Sequence, residues 1–580
     1  MSLDQSEISN RGFWLTDTSK GHCFDEGLSA QLKNLFKGHS VLDLGCGNGS
    51  YTRHFLDEDI PCQCFDGNPN TNTISNGLCN VADLTKQQTF EVADWVLCLE
   101  VGEHIPQEYE STFLQNITTH SRKGIVLSWG IPGQPGDGHI NCRPNSYVIS
   151  LIEKNGYLLD EEISSKLRQS SELWWFKNTI LVFRKLEMPK ITFCIPSKSN
   201  LRYLKTSVMS IRQNAFRKDH DIIVFVDSDD DGTVGWLKEH ASTYGITYYI
   251  NPDLGKKLYG IGKAYDYCIE QAKTDVVMIF HADMMLGTNA DVNVYKHLHK
   301  GKVVCSTRIE PPIHPNAGEK ILEDFGMWPE EFKGVEFDAY VDKLLVSNRN
   351  KTTEGMFAPW MIHRDDILAI GGHDTIMHSA REDSDLFNRF VLKGYTLVQS
   401  WDSLVYHLTG RGGQFQHGVV STDSSQKSEE WQKLMVNSTK EFMRKWGSSV
   451  KHTPLMKPIV CHKYDIKFEV TNMQQQLLGI LEPLCDTLQT DLTTDITDYY
   501  IFTEQPNTSF DLNKRLYNTD AHDIVVKFDC NKLNNQNFQT LQNLSEILDN
   551  TPLDVGTYEV DIFTLVVNNV VFYENKLIHK

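Results

Sequence analysis

Short apolar runs alternate with stretches of helical spacing through roughly the first 400 residues. That alternation predicts α/β units with largely parallel sheets. It also restarts. A strand-like run at 178–185 (NTILVFRK) gives way to a Leu-Glu-Met-Pro-Lys junction, and a new strand opens at 191–195 (ITFCI). Pro189 disfavours a helix running through the junction, so a first boundary falls near residue 187. A second break lies in the Ser- and Lys-rich stretch around 448–458. Beyond it the chain turns rich in Asn, Thr and Asp, with an amphipathic run at 474–484 and strand signals at 524–528 and 558–567. Three domains are expected: 1–186, 187–450, and a small α+β domain at 451–580 used for packing, homo-oligomerisation or partner binding.

Composition narrows the classes. At 580 residues the chain exceeds what one hydrophobic core can organise. Its 40% hydrophobic and 23% charged residues require no disordered part. No unbroken apolar run reaches the ~18 residues of a transmembrane helix. The opening MSLDQSEISN lacks the basic start and apolar core of a secretory signal. Thirteen Cys stand singly at irregular spacing, Cys62 and Cys64 within one strand. No second pair follows at zinc-finger spacing, so they read as buried, reduced thiols of a cytoplasmic protein. The formal charge of −20 disfavours nucleic acid, whose phosphates call for a basic surface.

Candidate chemistry begins at residues 41–55 (VLDLGCGNGSYTRHF). A buried strand carrying Asp43 runs into Gly45, Gly47 and Gly49 and then a helix, a turn whose backbone can approach a ligand closely. Asp66 ends the next strand-like run (CQCFD), where a carboxylate can accept bonds from two ribose hydroxyls. Asp83 stands at the following strand end (NVADLT). These residues resemble the class I S-adenosylmethionine methyltransferases over about 20–185. A dinucleotide dehydrogenase would place its third glycine one position later. The resemblance implies a Rossmann-like domain with Asp66 on the ribose and Asp83 near adenine. Glu100, Glu103 and His104 (DWVLCLEVGEHIP) follow the fourth strand, and their E-x-x-E-H pattern resembles methyltransferases of ubiquinone biosynthesis, which implies a divalent ion near an acceptor hydroxyl. His139, in the glycine-rich GIPGQPGDGHIN, is a second candidate base on a lid loop. A structural hydrogen bond explains either histidine equally well.

The second domain carries acids in order. DIIVFVDSDDDGT ends a strand in Asp227 and Asp229, a hydrophobic strand ends in His281-Ala282-Asp283, and Glu382-Asp383 precede an amphipathic helix. Acids at the carboxyl ends of parallel strands occupy the ligand side of open α/β sheets. The order resembles the inverting family-two glycosyltransferases of the A fold, from Ile191 to about Gly412. That resemblance implies a nucleotide-sugar donor held at Pro196, Asp227 and Asp229, with Gly262 and Lys263 near its diphosphate. It also implies Mn²⁺ or Mg²⁺ at Asp283 and His407 (YHLTGRGG), with His281 replacing the first acid of the usual DxD. Asp383 is the expected general base, with Glu382 beside it; capping of the helix is the competing role. The stretches STRIEPPIHPNAGEK and DFGMWPEEF read as a loop holding a glycan or glycosylated small-molecule acceptor. The expectation is a bifunctional transferase, joining methylation, read as O-methylation, to sugar transfer. Two alternatives stand: a phage-type base- or cap-modifying enzyme, and a glycosyltransferase with a non-catalytic S-adenosylmethionine-binding module.

Overall fold

Asp43, buried near the start of the chain, lies on the central strand of a seven-stranded sheet ordered β3-β2-β1-β4-β5-β7-β6. Its strands are β1 (Val41–Leu44), β2 (Cys62–Asp66), β3 (Asn80–Val81), β4 (Ala93–Cys98), β5 (Ser121–Leu127), β6 (Tyr157–Leu159) and β7 (Leu181–Lys185). The computed structural model describes residues 7–18, 21–315, 317–378, 380–409, 429–551 and 553–579. It divides into two compact units, Met1–Glu187 and Met188–Lys580.

In the first unit β1 to β5 are parallel, while β7 runs antiparallel between β5 and β6. All four residues of β1 are buried, as expected of a strand covered on both faces. From β1 the chain builds β2 and β3 on one side, then β4 and β5 on the other. The order therefore reverses at β1/β4, and open α/β sheets hold ligands outside the carboxyl ends of strands at such a point.

The second unit has a ten-stranded mixed sheet. Parallel β8 (Thr192–Lys198), β9 (Asp221–Ser228), β10 (Ile246–Ile250) and β11 (Val276–Ile279) form one half, in the order β10-β9-β8-β11. The other half contains β12 (Met284–Leu286), β13 (Lys302–Glu310), β16 (Trp360–His363) and β17 (Thr396–His407), continuing from β11 as β16-β13-β17-β12. Short β14 (Ile321–Leu322) and β15 (Thr352–Glu354) flank β13 and β17. The order reverses again, here at β8/β11.

Residues 451–580 have their own sheet and core but belong to the same compact unit as the ten-stranded sheet. Strands β18 (Ile466–Thr471), β19 (Thr487–Gln489) and β20 (Ile524–Asp529) are parallel, and an antiparallel hairpin continues the sheet from β20. The amphipathic run at 474–484 is part of a helical crossover between β18 and β19, which is what makes them parallel. The strand expected over 558–567 is a hairpin of β21 (Gly556–Val560) and β22 (Phe563–Val567).

Helix Glu429–Trp446 ties this segment to the rest of the unit. Its Arg444 donates to Glu482 at 2.7 Å and to Glu504 at 2.9 Å, and Arg515 also pairs with Glu482. Glu482, Arg444 and Arg515 are all buried. Burial pushes the Glu482 carboxyl up, but the two guanidiniums outweigh it and hold the group below its usual range. Truncation at Glu482 leaves two buried cations without their shared partner. Glu482→Ala should therefore cost about 3–5 kcal/mol, read as a lower midpoint in denaturant unfolding of the full chain. An unchanged midpoint would remove this network from the account.

Candidate active site

The glycine loop after β1 closes one side of a cavity of about 390 Å³ in the first unit. Gly45, Gly47 and Gly49 all have positive φ, and a Cβ on Gly45 would lie 2.2 Å from Val101 Cγ2. Asp66 at the end of β2 accepts the Gly47 N–H at 2.9 Å and the Asn68 N–H at 2.8 Å. It thereby holds the loop in shape while lining the cavity. Asp43 accepts the Thr52 hydroxyl at 2.7 Å, and burial pushes its carboxyl up to about 7 despite that bond. Asp83 also lines the cavity and carries an ion pair with Arg11 at 2.7 Å.

Opposite the loop, Glu100 has the uncommon φ of 53°. Its N–H donates to Ser128 Oγ at 2.8 Å, and its carboxylate accepts Gln134 Nε2 at 2.5 Å. Glu103, His104 and His139 bring one donor atom each to within 4.8 Å of one another. Both Glu103 oxygens are buried without a hydrogen-bond partner, and burial, then the Glu100 charge, push this carboxyl well up. Burial, then the neighbouring His139, lowers His104 to about 4. His104 Nδ1 lies 3.2 Å from the Gly138 carbonyl, and His139 Nδ1 3.2 Å from that of Gln134. The structural hydrogen bonds foreseen for both histidines are present, and the cluster accompanies them. An orphaned buried carboxylate beside two imidazoles suits a divalent cation.

A larger cavity, about 700 Å³, opens at the carboxyl ends of β8, β9 and β11. Pro196, Asp227, His281, Asp283 and His407 line it together. Asp227 accepts the backbone N–H of Tyr259 at 2.6 Å and of Gly260 at 3.2 Å, so it shapes the turn into helix Ile261–Gln271. Several expected residues stand away from this lining. Asp229 accepts the Val234 N–H at 3.3 Å, and Lys263 Nζ sits 4.0 Å from the centre of the Tyr259 ring. Lys256 and Lys257 face the cavity instead. Gly262 lets its helix approach Glu382, whose Cβ is 3.3 Å from where a Gly262 Cβ would be.

Sheet register assembles the triad. Antiparallel pairing sets Met284 of β12 opposite His407 of β17, and parallel pairing sets Ile309 of β13 opposite Tyr406. His407 is thereby flanked by Asp283 and Glu310. Its Nε2 lies 3.6 Å from Asp283 Oδ1 and its Nδ1 2.9 Å from Glu310 Oε1. Burial disfavours a charge on His407, but Asp283 and then Glu310 outweigh it and raise the imidazole to about 9. Burial lowers His281 to about 4, against the pull of Asp283. His281, Asp283 and His407 place one donor atom each within 4.8 Å of one another. These three atoms could hold a divalent metal ion once His407 gives up its proton, with Glu310 orienting the histidine from behind.

Glu310 is the residue that sequence reasoning missed. It is 1% exposed and also accepts Arg308 Nη1 and Lys320 Nζ, each at 2.8 Å. The segment read as an irregular acceptor loop thus begins inside β13. Glu382 and Asp383 open helix Glu382–Leu392 without lining the cavity, and the residue before them, Arg381, makes no side-chain cap. Asp383 Oδ1 accepts the Ser384 N–H at 2.6 Å. Burial, then the Asp383 charge, raises Glu382 to about 8, and its Oε2 is buried without a partner. Residues 410–413 of YHLTGRGG lie outside the described residues. Among the described residues, no helix is long and apolar enough to cross a membrane.

Residues 192–346 match the family model described as Glycosyl transferase family 2. This segment is a glycosyltransferase family 2 domain. The match lies wholly within the second unit. No curated protein sequence matches the chain. Among solved structures, TarS 1-349 of S. aureus is 12% identical, with 38% of this chain and 60% of that one covered and a TM-score of 0.27. A mannosyltransferase from Pyrobaculum calidifontis, in complex with GDP-Man and Mn²⁺, is 14% identical over 47% of this chain and 68% of its own, with a TM-score of 0.31. GalNAc-T7, with UDP, GalNAc and Mn²⁺, is 13% identical over 47% and 50%, with a TM-score of 0.34. The chain thus spans about 60% of the TarS length compared.

The Glu310 contact makes a direct prediction. A carboxylate behind a ligating imidazole typically contributes 10–100-fold to metal affinity. Glu310→Gln should weaken Mn²⁺ binding to the full chain by about that factor, measured by Mn²⁺ titration under paramagnetic resonance. Equal affinity in the variant would separate Glu310 from the metal site.

Proposed function

We propose that the second unit transfers a sugar from a nucleotide-sugar donor to a glycan or glycosylated small molecule, and that the first binds S-adenosylmethionine and methylates an oxygen. The observation carrying the first half is the family match over 192–346, together with the His281–Asp283–His407 triad in the large cavity. In this reading Pro196 and the turn held by Asp227 receive the nucleoside. Lys256 and Lys257, rather than Lys263, offset the diphosphate charge. A divalent ion on the triad, when bound, neutralises the leaving nucleoside diphosphate.

Inversion requires one carboxylate to take the acceptor hydroxyl proton as that oxygen attacks the anomeric carbon. We assign this to Asp383. It stands in the first turn of the helix and its carboxylate accepts the Ser384 N–H there, a structural role that the same group can hold beside the catalytic one. A second reading rests on Glu382, whose raised carboxyl near 8 is closer to the working range of a general base. The readings differ in pH dependence, because base catalysis needs the deprotonated form. With Glu382 as base, transfer climbs as pH rises through about 8 and then levels.

In the first unit, the cavity at the β1/β4 reversal, the glycine loop and Asp66 support the cofactor assignment. The sulfonium, when bound, supplies an already activated methyl group, so the protein's part is alignment and proton removal. His104, lowered to about 4, is neutral at pH 7 and can accept that proton. Alternatively, Glu103, His104 and His139 could together hold a divalent ion beside the acceptor oxygen.

Asp383→Asn should lose roughly 10²–10⁴-fold in sugar transfer while donor affinity stays near wild type, with Glu382→Gln milder. Near wild-type transfer by Asp383→Asn would place the base elsewhere. Asp66→Ala should weaken S-adenosylmethionine binding by about 1.5–3 kcal/mol, read by calorimetry on the full chain. Unchanged binding heats would dispose of the ribose assignment.

A further inference from the structure

We propose that Cys46, Cys64 and Cys79 form a site for one soft, thiophilic metal ion of the Cu⁺/Zn²⁺ class beneath the glycine loop of the first unit. The three Sγ atoms all lie within 4.8 Å of one another, and Cys64 Sγ is 3.1 Å from Cys79 Sγ. Three sulfurs around one ion at about 2.3 Å are separated by about 3.8–4.0 Å, so sub-ångström to ångström shifts suffice to close the set. Thiolates select this class of ion over Mg²⁺, Ca²⁺ or Mn²⁺.

The backbone places the thiols. Parallel pairing sets Phe65 of β2 beside Asn80 of β3, which puts the preceding residues, Cys64 and Cys79, side by side. Cys46 is pinned against β2 by its own N–H, which donates to the Phe65 carbonyl at 3.1 Å. Cys64 and Cys79 are buried, whereas Cys46 lines the cavity of about 390 Å³, which gives an ion its entry path. Cys62, two positions earlier in β2, turns to Thr52 Oγ1 at 3.6 Å and takes no part. Each sulfur that ligates gives its proton to solvent. Because Cys46 sits between Gly45 and Gly47, the bound ion fastens the loop to the strands beneath it.

The test uses the full-length chain handled without oxygen. Cu⁺ is titrated against bathocuproine disulfonate, and Zn²⁺ separately against a chromophoric chelator. One equivalent of at least one of the two ions should bind with sulfur-to-metal spectral signatures, or hold out against the competitor. Affinity should fall by about 100-fold or more on removal of one ligand, in both Cys64→Ser and Cys79→Ser. Cys461→Ser, in the second unit, should bind as wild type. Cys46→Ala is the further variant should a buried serine unfold the unit, since Cys46 is partly exposed. Affinity unchanged in these variants, or no retained equivalent of either ion, overturns the proposal. So does peptide mapping of thiol-quenched cells that finds Cys64 and Cys79 joined as a disulfide.

Discussion

The Glu310 carboxylate, buried between two cations and an imidazole, is the interaction on which the second unit's site depends. Taking a carboxylate out of water costs several kcal/mol, which only close partners and hydrogen bonds can offset. Arg308, Lys320 and His407 supply them. Because His407 spends Nδ1 on Glu310, its Nε2 is directed to Asp283 and the cavity. The arrangement is rigid for a topological reason. Strand β17 lies between β12 and β13, so the register of both ladders must be right before Asp283, His407 and Glu310 meet. A slip of one residue would turn the imidazole to the other face of the sheet.

The first unit reaches a similar end by different means. Its cavity also sits where strand order reverses, but a loop and not a ladder does the shaping. Asp66 pulls the Gly47 N–H toward the end of β2, and three left-handed glycines let the chain follow. On the far wall Glu103 is buried beside two histidines with neither oxygen hydrogen-bonded, and its burial favours the neutral carboxyl. Such an unpaired group is costly, and persists in folded proteins chiefly where a ligand or ion completes it. The two units thus share a plan: a run of parallel strands offers the floor of each cavity, and carboxylates near the strand ends line it.

What was legible in the sequence was the part written in consecutive residues. Asp66, Asp227 and Asp283 stand at the ends of apolar runs, so their place at or just past strand ends followed from the pattern of the runs, and Asp43 was visible as the acid inside one. Glu310 was hidden because Pro311 and Pro312 make its surroundings look like loop, and its partner His407 is 97 positions away. The thiol cluster was hidden for the same reason: Cys46, Cys64 and Cys79 have no finger spacing and meet only through the pairing of β2 with β3. Lys263 looked suited to a diphosphate, yet the helical turn sends it to Tyr259 and leaves Lys256 and Lys257 at the cavity. The tail offered no chemical motif, and its parallel strands depend on crossovers that single-residue patterns do not show.

The central claim is that the large cavity turns over a nucleotide sugar with the help of its triad. The direct measurement is release of nucleoside diphosphate from a panel of UDP-, GDP- and ADP-sugars by the full chain with Mn²⁺, alongside Asp283→Ala. The account predicts release from at least one donor, abolished by chelation and by the substitution while the fold is kept. Release that persists undiminished in Asp283→Ala, or none from any donor together with no binding of any nucleoside diphosphate, would contradict it.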